Sequence, residues 1–205
     1  MPDTFSFAIF NNKTDRTPQQ ANIPLDVLRS LTNHMVYPQA EVSDTPLLAR
    51  KAKLPLWGPA LFDGMGRTAK NVISVSCFVL DIDDGTPIDI TRQAWADVFH
   101  LGYTSYSHTT AHPKYRVVIP LDQPVPVSKW AAAWETMAQR SPSLDRRCSN
   151  PDRMYFFAAV HMPNGVPRGI YTIASMRNLI LPLIPVLVHT LRQGCRWTGA
   201  TIESS

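Results

Sequence analysis

The chain has 205 residues, 44% of them hydrophobic, and a formal charge of +4 at pH 7. That length is ample for a single domain with a real core, and the apolar fraction is ordinary for a globular protein, which excludes a disordered chain. A pI near 9.1 permits a phosphate-rich partner without demanding one. Three widely spaced cysteines, Cys77, Cys148 and Cys195, offer neither a disulfide framework nor zinc-ligand spacing, so a reducing, cytoplasmic location is expected. The N-terminus lacks the basic and apolar segments of a secretory signal. The most apolar late stretch, residues 179–191, is short for a bilayer and broken by Pro182 and Pro185, so no membrane partner is expected.

In chain order, residues 5–10 read as a strand, followed by a polar loop through Gln20. Leu28, Leu31 and Met35 fall at helical spacing behind Pro24, which suits a helix start. Residues 37–71 read as irregular. They carry Arg50, Lys51, Lys53, Arg67 and Lys70 around Leu56 and Trp57. Basic side chains interleaved with an aromatic can hold a nucleic-acid backbone; the plainer reading is a solvated loop with a packed tryptophan.

The run from Val75 to Leu80 reads as a buried strand that ends in Asp81, Ile82, Asp83, Asp84 and Gly85. The two-residue period of a strand sends Asp81 and Asp83 to one face and Ile82 to the other. Two neighbouring carboxylates repel, and a divalent cation such as Mg²⁺ or Mn²⁺ relieves that repulsion. The alternative is an acidic turn in water, signalled by Asp84 and Gly85.

Thr91 reads as the cap of a helix running to about His100, with Ala94, Trp95, Val98 and Leu101 on one face. Strands are expected at 103–107 and 115–121, with Pro120 and Pro124 closing the second. Ser128 then caps a helix whose apolar stripe is Trp130, Ala131, Trp134, Met137 and Ala138. A polar loop at 141–152 leads to strands at 153–160 and 170–173. The order implies an α+β fold, helices packed on one face of a mainly antiparallel sheet, and a βαββαβ core of the RNA-recognition (RRM-like) type accommodates it.

Further polar residues cluster at expected element ends, where loops carry chemistry on a rigid scaffold. His108 and His112 are four apart, but Thr109, Thr110 and Pro113 argue against a helix there, so zinc is discounted. His108 suits donation to phosphate oxygens, or is a surface turn residue. Arg116 and Arg153 open strands, as phosphate clamps or as surface cations. Asp145 is either a third carboxylate or a cap and partner for Arg146 or Arg147. An acidic pair, a histidine, arginines and a later acid are what metal-dependent phosphoryl transfer requires. No P-loop and no Gly-x-Ser-x-Gly elbow occurs.

The ordered set resembles the archaeo-eukaryotic primase (AEP) superfamily, in particular the small primase domains of phage and plasmid replication proteins. It comprises residues 71–85, residues 103–109, Tyr115 to Leu121, Leu144-Asp145 and Pro151 to Phe156, within residues 5–175. The resemblance implies an AEP-like catalytic domain over residues 1–178, with 179–205 as a tail or a junction to a missing module. It implies Asp81, Asp83 and Asp145 as catalytic metal ligands for Mg²⁺ or Mn²⁺. Ser107, His108, Arg116 and Arg153 fall where the nucleoside triphosphate would sit. The family's second motif spaces serine and histidine by one residue; here Tyr106 holds the serine's place and Ser107 adjoins His108.

The expected activity is that of a DNA primase or primase-polymerase, a nucleotidyltransferase on a single-stranded DNA template in replication of a mobile element. A replicative helicase would act in trans. Two rivals stand beside it: a metal-dependent nuclease using the same carboxylates, and a non-catalytic origin-binding or helicase-loading module.

Overall fold

The computed structural model describes residues 4–29, 35–36, 51–52, 54–141, 143–160 and 172–174; residues 35–36, 159–160 and 172–174 are described by backbone alone. The strands are β1 (Thr4–Phe10), β2 (Gln19–Pro24), β3 (Met35–Val36), β4 (Leu56–Gly58), β5 (Ala60–Phe62), β6 (Val72–Ile82), β7 (Leu101–Thr104), β8 (Tyr115–Pro126), β9 (Tyr155–Phe156), β10 (Ala159–Val160) and β11 (Thr172–Ala174). The α-helices are α1 (Leu25–Arg29), α2 (Ile88–Ala94) and α3 (Val127–Ala138).

A five-stranded sheet of order β11-β7-β8-β6-β5, antiparallel throughout, forms the middle layer. A four-stranded antiparallel sheet, β2-β1-β4-β9, covers one of its faces, and β10 pairs with β3 in parallel. The alternation along β6 explains the layering. Phe78, Leu80 and Ile82 join the core beneath the helices with Trp95, Trp130 and Trp134, whereas Cys77 and Val79 join Phe7, Trp57 and Tyr103 between the sheets. Asp81 is next along that second face. The expected α+β class holds in its coarse form, with antiparallel sheets and few helices. The strand expected to be buried on both faces is so: helices cover one side of β6, and β1, β2, β4 and β9 roof the other.

The RRM-like expectation is met only partly. The segment β6-α2-β7-β8-α3 follows the βαββα order with β8 between its neighbours, but the position beside β6 is held by β5, which precedes it in sequence. The strand after α3, β9, joins the other sheet instead.

Several boundaries shift for local reasons. Gln19–Pro24 is a strand rather than loop, hydrogen-bonded to β1 as a hairpin. Helix α1 covers Leu25–Arg29, and Met35 lies in β3; Leu31 lies outside the described residues. Helix α2 starts behind Pro87, not at Thr91, whose hydroxyl instead meets the Tyr115 hydroxyl at 2.7 Å. Leu101 opens β7. Pro126, not Ser128, precedes α3, whose buried stripe is Trp130, Trp134 and Ala138, while Ala131 is exposed. Pro120 does not end β8, which runs on to Pro126. β7 pairs with β8 only from Tyr115 to Val118, so at Pro120 the strand has a neighbour on one side and its missing N–H need cost no ladder bond.

Candidate active site

The antiparallel register sets Asp81 of β6, Arg116 of β8 and Tyr103 of β7 side by side. Arg116 Nε lies 3.2 Å from Asp81 Oδ1, and Nη2 donates to Oδ2 at 3.5 Å. Both side chains are buried, with Arg116 6% and Asp81 7% exposed. The guanidinium also lies over the rings of Tyr103 and Tyr155, at 5.9 and 5.7 Å from their centroids. Burial pushes both phenols up, Tyr155 most, so both stay protonated. Tyr103 is fixed further: its hydroxyl accepts from Trp57 Nε1 at 2.9 Å and donates to the Phe156 carbonyl at 2.9 Å. The Cys148 thiol donates to Asp81 Oδ2 at 3.8 Å; burial, then Asp81, pushes it up to about 12, so it too stays neutral.

Ile82 and Tyr115 make the last ladder pair, and the side chains just beyond it also meet. Asp83, two residues beyond Asp81, faces Lys114, two residues before Arg116, with Nζ 3.8 Å from Oδ1. The Asp83 carbonyl accepts from His112 Nε2 at 3.1 Å. Gly85 follows in the left-handed region at φ +88°, and the His112 ring would lie 2.7 Å from any Cβ there. The turn after Asp83 is thus seated on His112 and requires glycine.

Asp145 comes to this place from far along the chain. Its backbone N–H donates to the Asp81 carbonyl at 3.2 Å. Its carboxylate caps the 3₁₀ turn at Arg146–Ser149 by accepting from the Arg147 backbone N–H, and it also accepts from Arg147 Nε at 3.0 Å. Arg147 holds the Asp145 carboxyl below its ordinary range. The capping and arginine-pairing role considered for Asp145 is therefore present, and it coexists with proximity to Asp81.

Among the described residues no three His, Cys, Asp or Glu side chains converge as a ready metal cluster. Asp81, Asp83 and Asp145 each turn to a separate cation. The donor set nevertheless suits a hard divalent ion: all-oxygen ligands on backbone positions that are adjacent in space, two of them on a strand end. Ligation would require Asp83 and Asp145 to exchange a basic side chain for the ion, and Asp81 to share an oxygen between it and Arg116.

The segment from Ser105 to Lys114 closes on itself, with Ser105 N–H bonded to the Lys114 carbonyl at 2.8 Å and His108 N–H to the Ser105 carbonyl at 2.9 Å. His108 is buried, not a surface turn residue. Its Nδ1 accepts from the Lys114 N–H at 3.1 Å, and burial holds the imidazole below its ordinary pKa. A neutral ring that accepts at Nδ1 carries its proton on Nε2, where it is a donor. Ser107 Oγ accepts from Lys51 Nζ at 3.3 Å, and that ammonium lies over the Phe156 ring.

Of the five basic residues of the segment at 50–70, the three described ones, Lys51, Arg67 and Lys70, do not form one patch. Lys51 is at the site, whereas Arg67 and Lys70 lie at the start of β6, on the order of 30 Å along the strand from Asp81. Arg67 packs over Phe10. Arg50 and Lys53 lie outside the described residues, as does the stretch 179–205. Arg153 is half-buried, donates to the Arg147 carbonyl at 3.4 Å and adds to the positive field on Asp145. Gly58 is needed beside it, since a Cβ would meet the Arg153 carbonyl oxygen at 2.9 Å.

Sequence reasoning named Lys114 only within the strand-opening cluster Lys114-Tyr115-Arg116, without a role, and missed Tyr103, Tyr155 and Cys148 as neighbours of the acids. For Lys114 a signal existed: Lys114 and Arg116 repeat the two-residue spacing of Asp83 and Asp81 on strands that pair antiparallel. The others depend on tertiary placement.

The site gathers five cations (Lys51, Lys114, Arg116, Arg147 and Arg153) about three carboxylates. The chain is similar in structure to the AEP domain of the cyanophage S-2L primase-polymerase (PrimPol), with 16% identity and a TM-score of 0.43, over 91% of this chain and 89% of that one. At that score the likeness establishes neither a shared fold nor a shared activity. No family model matches the chain, and no curated protein matches it. No helix among the described residues is long and apolar enough to cross a membrane.

Proposed function

We propose that the chain is a nucleotidyltransferase that joins nucleoside triphosphates on a single-stranded DNA template, as a primase or primase-polymerase in replication of a mobile element. The observation that supports this most is the hydrogen bond from Asp145 N–H to the Asp81 carbonyl. It joins the third acidic motif to the first across 64 residues (145 minus 81), beside Arg116 and a cation excess suited to a polyphosphate.

In this reading Asp81, Asp83 and Asp145 would hold Mg²⁺ or Mn²⁺, which would supply charge stabilisation at the attacking and leaving oxygens. Arg116 and Arg153 bind the triphosphate, His108 donates through Nε2–H, and Ser107 offers a hydroxyl. The primer 3′ hydroxyl loses its proton to solvent as its oxygen bonds to the α-phosphorus, the bond to the α,β-bridging oxygen breaks, and pyrophosphate leaves. Any replicative helicase acts in trans.

Incorporation of labelled nucleotides on primed and unprimed single-stranded templates, with Mg²⁺ or Mn²⁺, tests the reading. Template-dependent extension is the expected result. Loss of labelled DNA with metal alone would make the protein a nuclease. Template binding indifferent to nucleotide and metal would make it a non-catalytic replication module.

A further inference from the structure

We infer that Lys51 is a nucleotide-binding residue: with Arg116 and Ser107 it forms a polyphosphate-binding pocket, rather than belonging to a stretch that tracks nucleic acid. The inference deepens the proposed activity and rests on that reading for its biological meaning, but the anion site stands on its own geometry.

Three observations carry it. Arg116 is 6% exposed, and its Nη1 is buried with no hydrogen-bond partner among the described residues, while Nε and Nη2 face Asp81. Beyond the Tyr103 and Tyr155 faces, a buried guanidinium nitrogen with no hydrogen bond of its own is costly in a folded protein, and an anionic oxygen suits it as a partner. Lys51 is half-buried and lies within the fields of Arg116, Asp83, Asp81 and Lys114. Burial first, and then repulsion from Arg116, pull its pKa down. Two cations within each other's field in a partly dry place relax when a polyanion enters.

The third observation is the Lys51–Ser107 contact at 3.3 Å, which spans 56 positions in sequence. The hydroxyl accepts from the ammonium and keeps its own proton to donate. A phosphate oxygen placed there would receive both Lys51 and Ser107. This gives the displaced serine a role: at position 107 it meets the lysine that reaches across from the segment before β4. Phe156 beneath Lys51 holds the ammonium by a cation–π contact at 5.3 Å and limits its wandering.

The test is calorimetric titration of the whole chain with inorganic tripolyphosphate, without metal or template, for the wild type, Lys51→Ala, Lys51→Met and Lys51→Arg. The wild type is expected to bind. Lys51→Ala and Lys51→Met should each bind about tenfold more weakly, and Lys51→Arg should bind within about threefold of wild type. Lys51→Met keeps the stem over Phe156, so wild-type binding by that variant would assign the effect to packing and overturn the inference. Wild-type binding by Lys51→Ala, or no binding by the wild type, would overturn it as well. Lys51-dependent tripolyphosphate binding in a protein that incorporates no nucleotide would uphold the pocket and defeat the proposed reaction. Nucleotide incorporation unaffected by Lys51→Met would do the reverse.

Discussion

Arg116 and Asp81 face each other across hydrogen-bonded strands as a buried ion pair, with Nε 3.2 Å from Oδ1. Removing one member leaves the other charge buried and unpaired. Asp81→Asn is expected to lower stability by about 3–5 kcal/mol. Asp83, whose side chain is 53% exposed in its pairing with Lys114, is a different case. Asp83→Asn should cost less than about 1 kcal/mol. Urea unfolding of the two variants checks the contrast, and equal losses would contradict the placement of the acids.

Tyr103 links the two sheets through its hydroxyl, which takes the Trp57 N–H and gives to the Phe156 carbonyl. Tyr103→Phe keeps the ring beneath Arg116 but leaves a buried indole N–H unpaired. A destabilisation of about 1–3 kcal/mol is expected in denaturant unfolding.

Gly85 has positive φ and the His112 ring against it. Gly85→Ala must pay about 1–2 kcal/mol of left-handed strain and also push His112 from the Asp83 carbonyl. Loss of stability accompanied by weaker metal activation, measured by titrating Mn²⁺ into the incorporation assay, is the expected pair of effects.

His108 carries a pH signature with a definite sign. Burial holds its folded-state pKa below the ordinary 6.5, so the unfolded chain takes up the proton first. Its contribution to stability is fully present above that value and is lost as pH falls below it. Unfolding midpoints measured between about pH 7.5 and 5 should decline for the wild type. His108→Asn keeps an acceptor for the Lys114 N–H without titrating there, and should flatten that decline. A loss confined to below about pH 4 would implicate carboxylates instead.

The alternation from Cys77 to Asp83 was legible because a strand buried on both faces fixes its parity, and Ile82 duly packs under the helices while Asp81 turns the other way. The stripe of Trp130 and Trp134 was legible for the same reason at helical period. β2 was not, since Gln19, Gln20 and Asn22 sit on a sheet edge and carry no apolar run. β4 and β5 have three residues each beside Pro55 and Pro59, too short for any period to register. The acids and His108 could be named from motif order. Lys51 could not be placed, because its partner Ser107 is distant in sequence and only the folded chain brings them together.

The most direct measurement is Mn²⁺- or Mg²⁺-dependent incorporation of labelled nucleotide on single-stranded template by the wild type and by Asp83→Ala, with unfolding midpoints recorded for both. The exposed position of Asp83 allows the variant to fold. The account predicts robust incorporation by the wild type and none by the variant at a nearly unchanged midpoint; synthesis by a folded Asp83→Ala protein at the wild-type rate would contradict it.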